Sequence, residues 1–443
     1  MKTKIIVLIA LLSVTFGYSQ KKWTLKECVD TALKNNLTIK QNKLNLDIAE
    51  QDVKSADGNF LPTVSASTSG NLGFGSTFDP VSNNRISTTN YGGSVGVRAG
   101  YTVFSGFRNL NLQKQAELGV ESSKLNLETI QNDISLRVVN SYLNVLFAKE
   151  NLNVANVQYE ISQKQIEAAQ KRFDAGAIPK GDLLNVQSTA ASDAQNVVTF
   201  ENTLNIALLN LAQSLQVPFE GFDVASLNVG TPSANLLYNN SNIVYQKALD
   251  TRPEIKKAEI DIESAGLGVE IAKSAYMPTV TASGSIGSNY GYSFDLPAGV
   301  SNTALFTQLD NNLGYGLGFN VSIPIFNGFR TDASVSRSKI NRDIVINSLE
   351  TQKLQLQQLI EQAFLDSKAA AKSYEVAQIS LESQKEAFKN AQERYTLGAM
   401  TLFDFDQVRN RYVNAQGAMI RAKYDYVFKS KVLQFYYGDL QLD

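Results

Sequence analysis

Two periods of hydrophobic spacing divide the chain, and each occurs twice. Between residues 108 and 173, Leu127, Ile130, Ile134, Val138, Val145, Ala148, Leu152, Ala155, Tyr159, Ile166, Ala169 and Phe173 recur at spacings of three, four or seven, the seam of a coiled coil. At about 1.5 Å per residue the run predicts one helix about 100 Å long. Leu349, Leu356, Ile360, Ala370, Tyr374, Ala377, Leu381, Phe388, Ala391 and Tyr395 repeat the seam at an offset of 222 residues. Each seam ends in a tip, QKRFDAGAIPKGDLLNVQ at 170–187 and QERYTLGAMTLFDFDQVR at 392–409. Gly176 and Gly398 suit the left-handed residue that ends a helix, and Asp182 and Asp404 suit the start of the next. Both tips therefore read as helical hairpins, the first returning over 183–215.

Elsewhere the period falls to two. Val64, Ala66, Thr68, Leu72 and Phe74 share one face, with Thr63, Ser65, Ser67, Ser69 and Asn71 on the other. After a polar stretch, Tyr91, Val95, Val97, Ala99, Tyr101 and Val103 oppose Gly92, Ser94, Gly96, Arg98, Gly100 and Thr102. The second half repeats this with Val280, Ala282, Ile286 and Tyr290, then Leu313, Tyr315, Leu317, Phe319, Val321 and Ile323 against asparagine, glycine and serine. Each strand is expected to run to about a dozen residues, just over the roughly 9–11 that a tilted strand needs to cross a bilayer. Met277-Pro278-Thr279-Val280 matches Leu61-Pro62-Thr63-Val64 at an offset of 216, and Phe326-Asn327-Gly328-Phe329-Arg330 matches Phe104-Ser105-Gly106-Phe107-Arg108 at 222. The six extra residues are placed in a loop over 291–311.

Shorter signals complete the order. Thr24 with Glu27 three residues on forms a capping box opening a helix to about Lys34. Asn35-Asn36 breaks it, and a helix over 37–59 follows. Arg252-Pro253 marks the same break in the second half, since proline disfavours helix just before it. The expected organisation is two helix-strand-strand-helix repeats, 20–220 and 241–443, joined by a linker over 221–240. Strand hairpins occupy 62–104 and 278–326, and tips 173–182 and 395–404.

Composition narrows the chemistry. The 443 residues include no histidine and one cysteine, Cys28, so the usual nitrogen and sulfur metal ligands, a histidine-based catalytic pair and an intrachain disulfide are all excluded. No cofactor is expected, and no enzyme activity. Gly92-Gly93-Ser94-Val95-Gly96 spells a nucleophile motif, but within an alternating strand and without a histidine base. A net charge of −1 offers no basic face for nucleic acid. Lys2 and Lys4 precede an apolar run over 5–16 and then Gly17, Ser19 and Gln20, the layout of a secretory signal over 1–19. Removing it leaves 39 basic residues against 42 acidic ones, a net charge of −3. Cys28 is too far from that cleavage point to be an acylated first residue, so no lipid anchor is expected.

Four strands do not close a barrel, because the smallest transmembrane barrels use about eight. Open edges are not tolerated in lipid, so the strands are expected to join a shared barrel, with twelve in a trimer. Glycine and serine on the inner face favour an open bore. A structural coiled-coil stalk or adhesin of the cell envelope is the alternative; it would explain the seams but not the two-faced strands.

On these residues the chain resembles the TolC-like outer-membrane efflux proteins, or outer membrane factors. The resemblance spans nearly all of the mature chain. It rests on the duplicated element order, the proline-led strands after Leu61 and Met277, the two F-x-G-F-R elements, and the tips R-F-x-x-G-x-x-x-x-x-D-L and R-Y-x-x-G-x-x-x-x-x-D-F. It implies a mainly α protein with a transmembrane β-barrel portion: a homotrimer whose twelve-stranded barrel sits in outer-membrane lipid. A coiled-coil α-helical tunnel would cross the periplasm to a periplasmic adaptor (membrane fusion) protein and an inner-membrane pump. The implied activity is passive conduction as the exit duct of a tripartite efflux or type I secretion system. By matching positions, Gly176, Ala177, Gly398 and Ala399 are implied as adaptor contacts. Asp404 and Asp406 are implied as an acidic ring, and Asp182 and Tyr395 as gate-holding residues. Met400 departs from the family, whose best-known member is basic there. Local physics offers plainer roles too: the helix macrodipole favours Asp182 and Asp404 where they stand, and Phe173 and Tyr395 fit the seam. Arg98, on the expected lumen face, either tunes selectivity or pairs with a neighbouring carboxylate.

Overall fold

A computed structural model describes residues 22–79, 83–226, 238, 240–296 and 299–438. The expected signal at 1–19 lies outside them, as does most of the expected linker. Two helices of 67 residues, α3 (Arg108–Asp174) and α8 (Arg330–Thr396), carry the seams, and two of 36 residues, α4 (Lys180–Leu215) and α9 (Leu402–Tyr437), return from the tips. The equal lengths match the constant offset of 222. The chain divides into two compact units.

One unit comprises Asn45–Lys124 and Lys257–Leu349. Its centre is an antiparallel sheet in the order β2 (Thr63–Asp79), β3 (Asn84–Phe104), β5 (Thr279–Ser293), β6 (Gly314–Ser322). The register aligns the apolar alternation across all four strands. Ala66 faces Val97, Val97 faces Ile286, and Ile286 faces Tyr315. The opposite face pairs Ser67 with Gly96 and Gly96 with Gly287. At 17, 21 and 15 residues β2, β3 and β5 exceed the expected dozen, whereas β6 has only 9. The apolar face is left in the open: Tyr315 is 87% exposed, Leu317 90% and Phe319 79%.

Where β6 stops, the inserted segment takes its place. A helix not anticipated from the sequence, α7 (Leu305–Asn311), packs against β5 within the expected loop. The amide side chains around it cover the β5 edge above Gly287. The Gly291 N–H donates to Gln308 Oε1 at 2.8 Å, the Ser293 N–H to Asn302 Oδ1 at 2.9 Å, and Asn312 Nδ2 to the Asn289 carbonyl at 2.7 Å. Side-chain amides thus satisfy backbone groups that a longer β6 would have paired.

Strand passes to helix through two left-handed residues in each half, Gly106-Phe107 at φ +62° and +66° and Gly328-Phe329 at +63° and +62°. Gly106 has no room for a side chain, since a Cβ would lie 2.7 Å from both the Met277 Cβ and the Ser274 carbonyl oxygen. A left-handed phenylalanine is strained. Edge-on packing of Phe107 on Phe104 and Phe329 on Phe326, at 5.4 and 5.7 Å, helps offset that strain.

The other unit comprises Met1–Leu44, Leu125–Lys256 and Glu350–Asp443. Its largest core seats α1 (Leu25–Asn35) on α3 and α4. Leu25, Cys28, Val29 and Ala32 pack with Val138, Tyr142, Leu143, Leu211 and Leu215. Full burial of such Leu or Val side chains stabilises the fold by about 1.5–3 kcal/mol each. The Thr24–Glu27 capping box is present, with the Glu27 N–H donating to Thr24 Oγ1 at 3.2 Å and the Thr24 N–H to Glu27 Oε2 at 3.0 Å. Asn36 caps α2 (Leu37–Gly58) by accepting from the Thr38 N–H at 2.8 Å. In the second half, α5 (Ser241–Thr251) gives way to α6 (Pro253–Lys273), which opens on its proline.

The start of the expected linker is structured. β1 (Lys22–Trp23) and β4 (Asp223–Val224) pair in parallel. The Tyr142 hydroxyl donates to the Ala225 carbonyl at 2.7 Å, and Lys149 Nζ to the Val224 carbonyl at 2.8 Å. Too short to show a period, this pairing is invisible in the local sequence.

Candidate functional site

The two tips are built alike at their glycines. Gly176 at φ +76° ends α3: its N–H donates to the Phe173 carbonyl and the Ala177 N–H to the Arg172 carbonyl, both at 2.8 Å. Gly398 at φ +73° ends α8 in the same way, with bonds of 3.0 Å to Tyr395 and 2.8 Å from Ala399 to Arg394. These are Schellman caps, and the left-handed residue favours glycine. Beyond the adjoining residues, nothing lies within 4 Å of where a Cβ would stand on either glycine, so each turn has open space around it.

The aspartates sit in the first turn of each returning helix, three residues past the cap position. Pro179 precedes α4 and makes no side-chain cap, leaving Asp182 in the first turn. Thr401 caps α9, accepting from the Asp404 N–H at 3.1 Å while its hydroxyl donates to Asp404 Oδ2 at 2.7 Å. A concave surface of about 650 Å³ borders this tip, lined by Arg394, Gly398, Ala399, Met400, Asp404 and Arg411 among others.

Tyr395 links the tips. Its ring stacks on Phe405 at 4.8 Å, and the Arg172 guanidinium lies 5.5 Å from its centroid. Burial pushes its phenol above the ordinary tyrosine range; Arg172 opposes this, while Asp406 and Asp182 add to it. Tyr395, Asp182 and Asp406 therefore share one electrostatic neighbourhood, while Asp404 turns to its own cap. Burial also raises the Asp406 carboxyl, against Arg409 and with Asp193. Met400 packs in the apolar cluster of Phe388, Ala391 and Phe405.

The sequence reading missed Arg409, which is 2% exposed and ion-paired with Asp193. A sequence signal existed: Phe405, Arg409 and Tyr412 fall on one helical stripe, which puts a charge where apolar residues are expected.

Arg98 stands on the small-residue face of the sheet, exposed, directly opposite Ser65 and Ser285. Neither of these neighbours is a carboxylate. The rows on either side of it carry short side chains, Ser67-Gly96-Gly287 and Thr63-Gly100-Ser283.

A family model described as outer membrane efflux protein matches residues 28–216 and 244–439. The outer membrane efflux protein BepC of Brucella suis is 24% identical over 425 residues, covering 95% of this chain and 86% of BepC. Outer membrane protein TolC of Escherichia coli is 23% identical over 449 residues, covering 99% and 87%. In fold, the chain is similar to the Campylobacter jejuni CmeC outer membrane channel, with a TM-score of 0.75 at 21% identity over 95% and 86% of the two chains. It is likewise similar to CusC, with a TM-score of 0.78 at 17% identity over 94% and 92%. Matched in both halves of its duplicated sequence, the chain belongs to the outer membrane efflux protein family.

Proposed function

We propose that this outer-membrane efflux channel works as a homotrimer, each copy lending four strands to one barrel, and conducts its substrates passively. The four-stranded sheet carries the proposal. Its apolar face is continuous across every strand, its other face is small and polar, rich in glycine and serine and carrying Arg98, and β2 and β6 have no strand partner on their outer edges among the described residues. Backbone edges in lipid must be paired, and about eight strands is the least that closes a barrel. Three copies supply twelve. A coiled-coil stalk would have no use for such a sheet.

The energy for transport would come from partners. The tips suit docking by a periplasmic adaptor linked to an inner-membrane pump, at Gly176-Ala177 and Gly398-Ala399, because each glycine has open space around it. Asp182, Tyr395, Asp404 and Asp406 are the proposed gate, and Arg98 lines the proposed bore. Reconstitution of the purified protein in planar bilayers tests the channel: the expected result is ion conductance from a trimer, larger after Asp404→Ala. A monomer that conducts in neither form would overturn the proposal.

A further inference from the structure

Among the largest fully buried side chains of the described residues, the first is a charged one, Arg409. It lies about two turns into α9. Its guanidinium pairs with Asp193 of α4 and donates to Ser162 Oγ of α3 at 2.8 Å, while the Ser162 hydroxyl also reaches Asp193. A second tie runs beside it: Gln158 Nε2 of α3 donates to Gln416 Oε1 of α9 at 3.0 Å, and Gln416 Nε2 to the Tyr412 hydroxyl at 3.1 Å. One polar cluster thus fastens both helices of the first hairpin to the returning helix of the second. Asp406 lies a turn before Arg409, and both Arg409 and Asp193 act on its carboxyl.

Seam packing alone does not call for this cluster. At the offset of 222 residues, Gln187 matches Arg409 and Ala415 matches Asp193, so the other half makes its seam without the pair. Stability is a poor reason too, since an apolar pair of similar volume is often as stable as a buried ion pair or more so. Arg409 Nε is moreover buried with no hydrogen-bond partner, as is Gln158 Oε1. What an ion pair adds is a defined position, because separating the partners strands two charges away from water.

We infer that Arg409, Asp193 and Ser162 form a lock that holds α9 to the α3–α4 hairpin and so sets the resting width of the channel's periplasmic entrance. Arg409 is a positioning residue, distinct from the tip residues Asp182, Tyr395 and Asp404. Any widening that separates α9 from the first hairpin must open this pair. The inference rests on the channel proposed above.

The test is single-channel recording of the full-length protein in planar bilayers, comparing the parent with Arg409→Met/Asp193→Leu, which replaces the pair by apolar residues and leaves no lone charge. The variant is expected to assemble as the parent does and to raise open-state occupancy about fivefold or more. The exchanged pair Arg409→Asp/Asp193→Arg should return it toward the parent. Lys149→Met/Asp223→Leu, which removes another ion pair of the same unit, should leave it unchanged. Parent-like occupancy in an assembled Arg409→Met/Asp193→Leu variant would overturn the lock. So would failure of that variant to assemble, which would make the cluster a folding element. Silence of parent and variant together would instead remove the channel itself.

Discussion

Gly398 has space around it and a backbone that L side chains avoid. Valine there must hold φ near +73° and strains the turn by about 1–2 kcal/mol. Gly398→Val should lower crosslinking to the adaptor while trimer in the outer membrane stays at the parent level; undiminished crosslinking would remove the contact from this turn. Asp406 makes a second residue-scale test. Burial raises its carboxyl, so the folded chain holds the proton more tightly than the unfolded chain. That stabilisation is present below the unfolded value of about 4 and is lost as pH rises through the folded one. Asp406→Asn should therefore raise the melting temperature at pH 7 and do little at about pH 3; equal gains at both would contradict the sign. The glycine caps were legible because their requirement is local. Arg409 was harder to interpret because its partner Asp193 lies 216 residues away along the chain.

Among the elements, period sufficed for what is long. Seams on helices of 67 residues and alternating strands both announce themselves. What the pattern does not carry is where pairing stops, and β6 ends early because Asn302, Gln308 and Asn312 cover the β5 edge through side chains spread over the inserted segment. The aspartates stand in the first turns as the macrodipole favours, but the cap positions before α4 and α9 belong to Pro179 and Thr401. The faces of β6 give a direct test of orientation. Leu317, 90% exposed, belongs to the apolar face, and arginine there costs about 2–4 kcal/mol near the middle of a bilayer. Leu317→Arg should deplete assembled protein from the outer-membrane fraction, whereas Gly318→Ser on the opposite face should not. Equal depletion by both would mean that β6 does not face lipid in this way.

For the whole molecule, the duplication explains why one chain yields four strands and two hairpins with matching helix lengths. Duplication alone does not close the sheet, and in the proposed trimer the outer edges of β2 and β6 are where further copies would join. Both strands run antiparallel to the neighbour that an adjoining copy would supply, so the pairing needs no change of direction. In a Cys28→Ala background, single cysteines at Ser65, Ser67 or Ser69 of β2 can each be combined with one at Gly316 or Gly318 of β6 and oxidised in outer membranes. A shared barrel predicts that at least one combination yields covalent species up to three chains and no larger. Monomer alone from every combination, in protein that has reached the outer membrane, would contradict it.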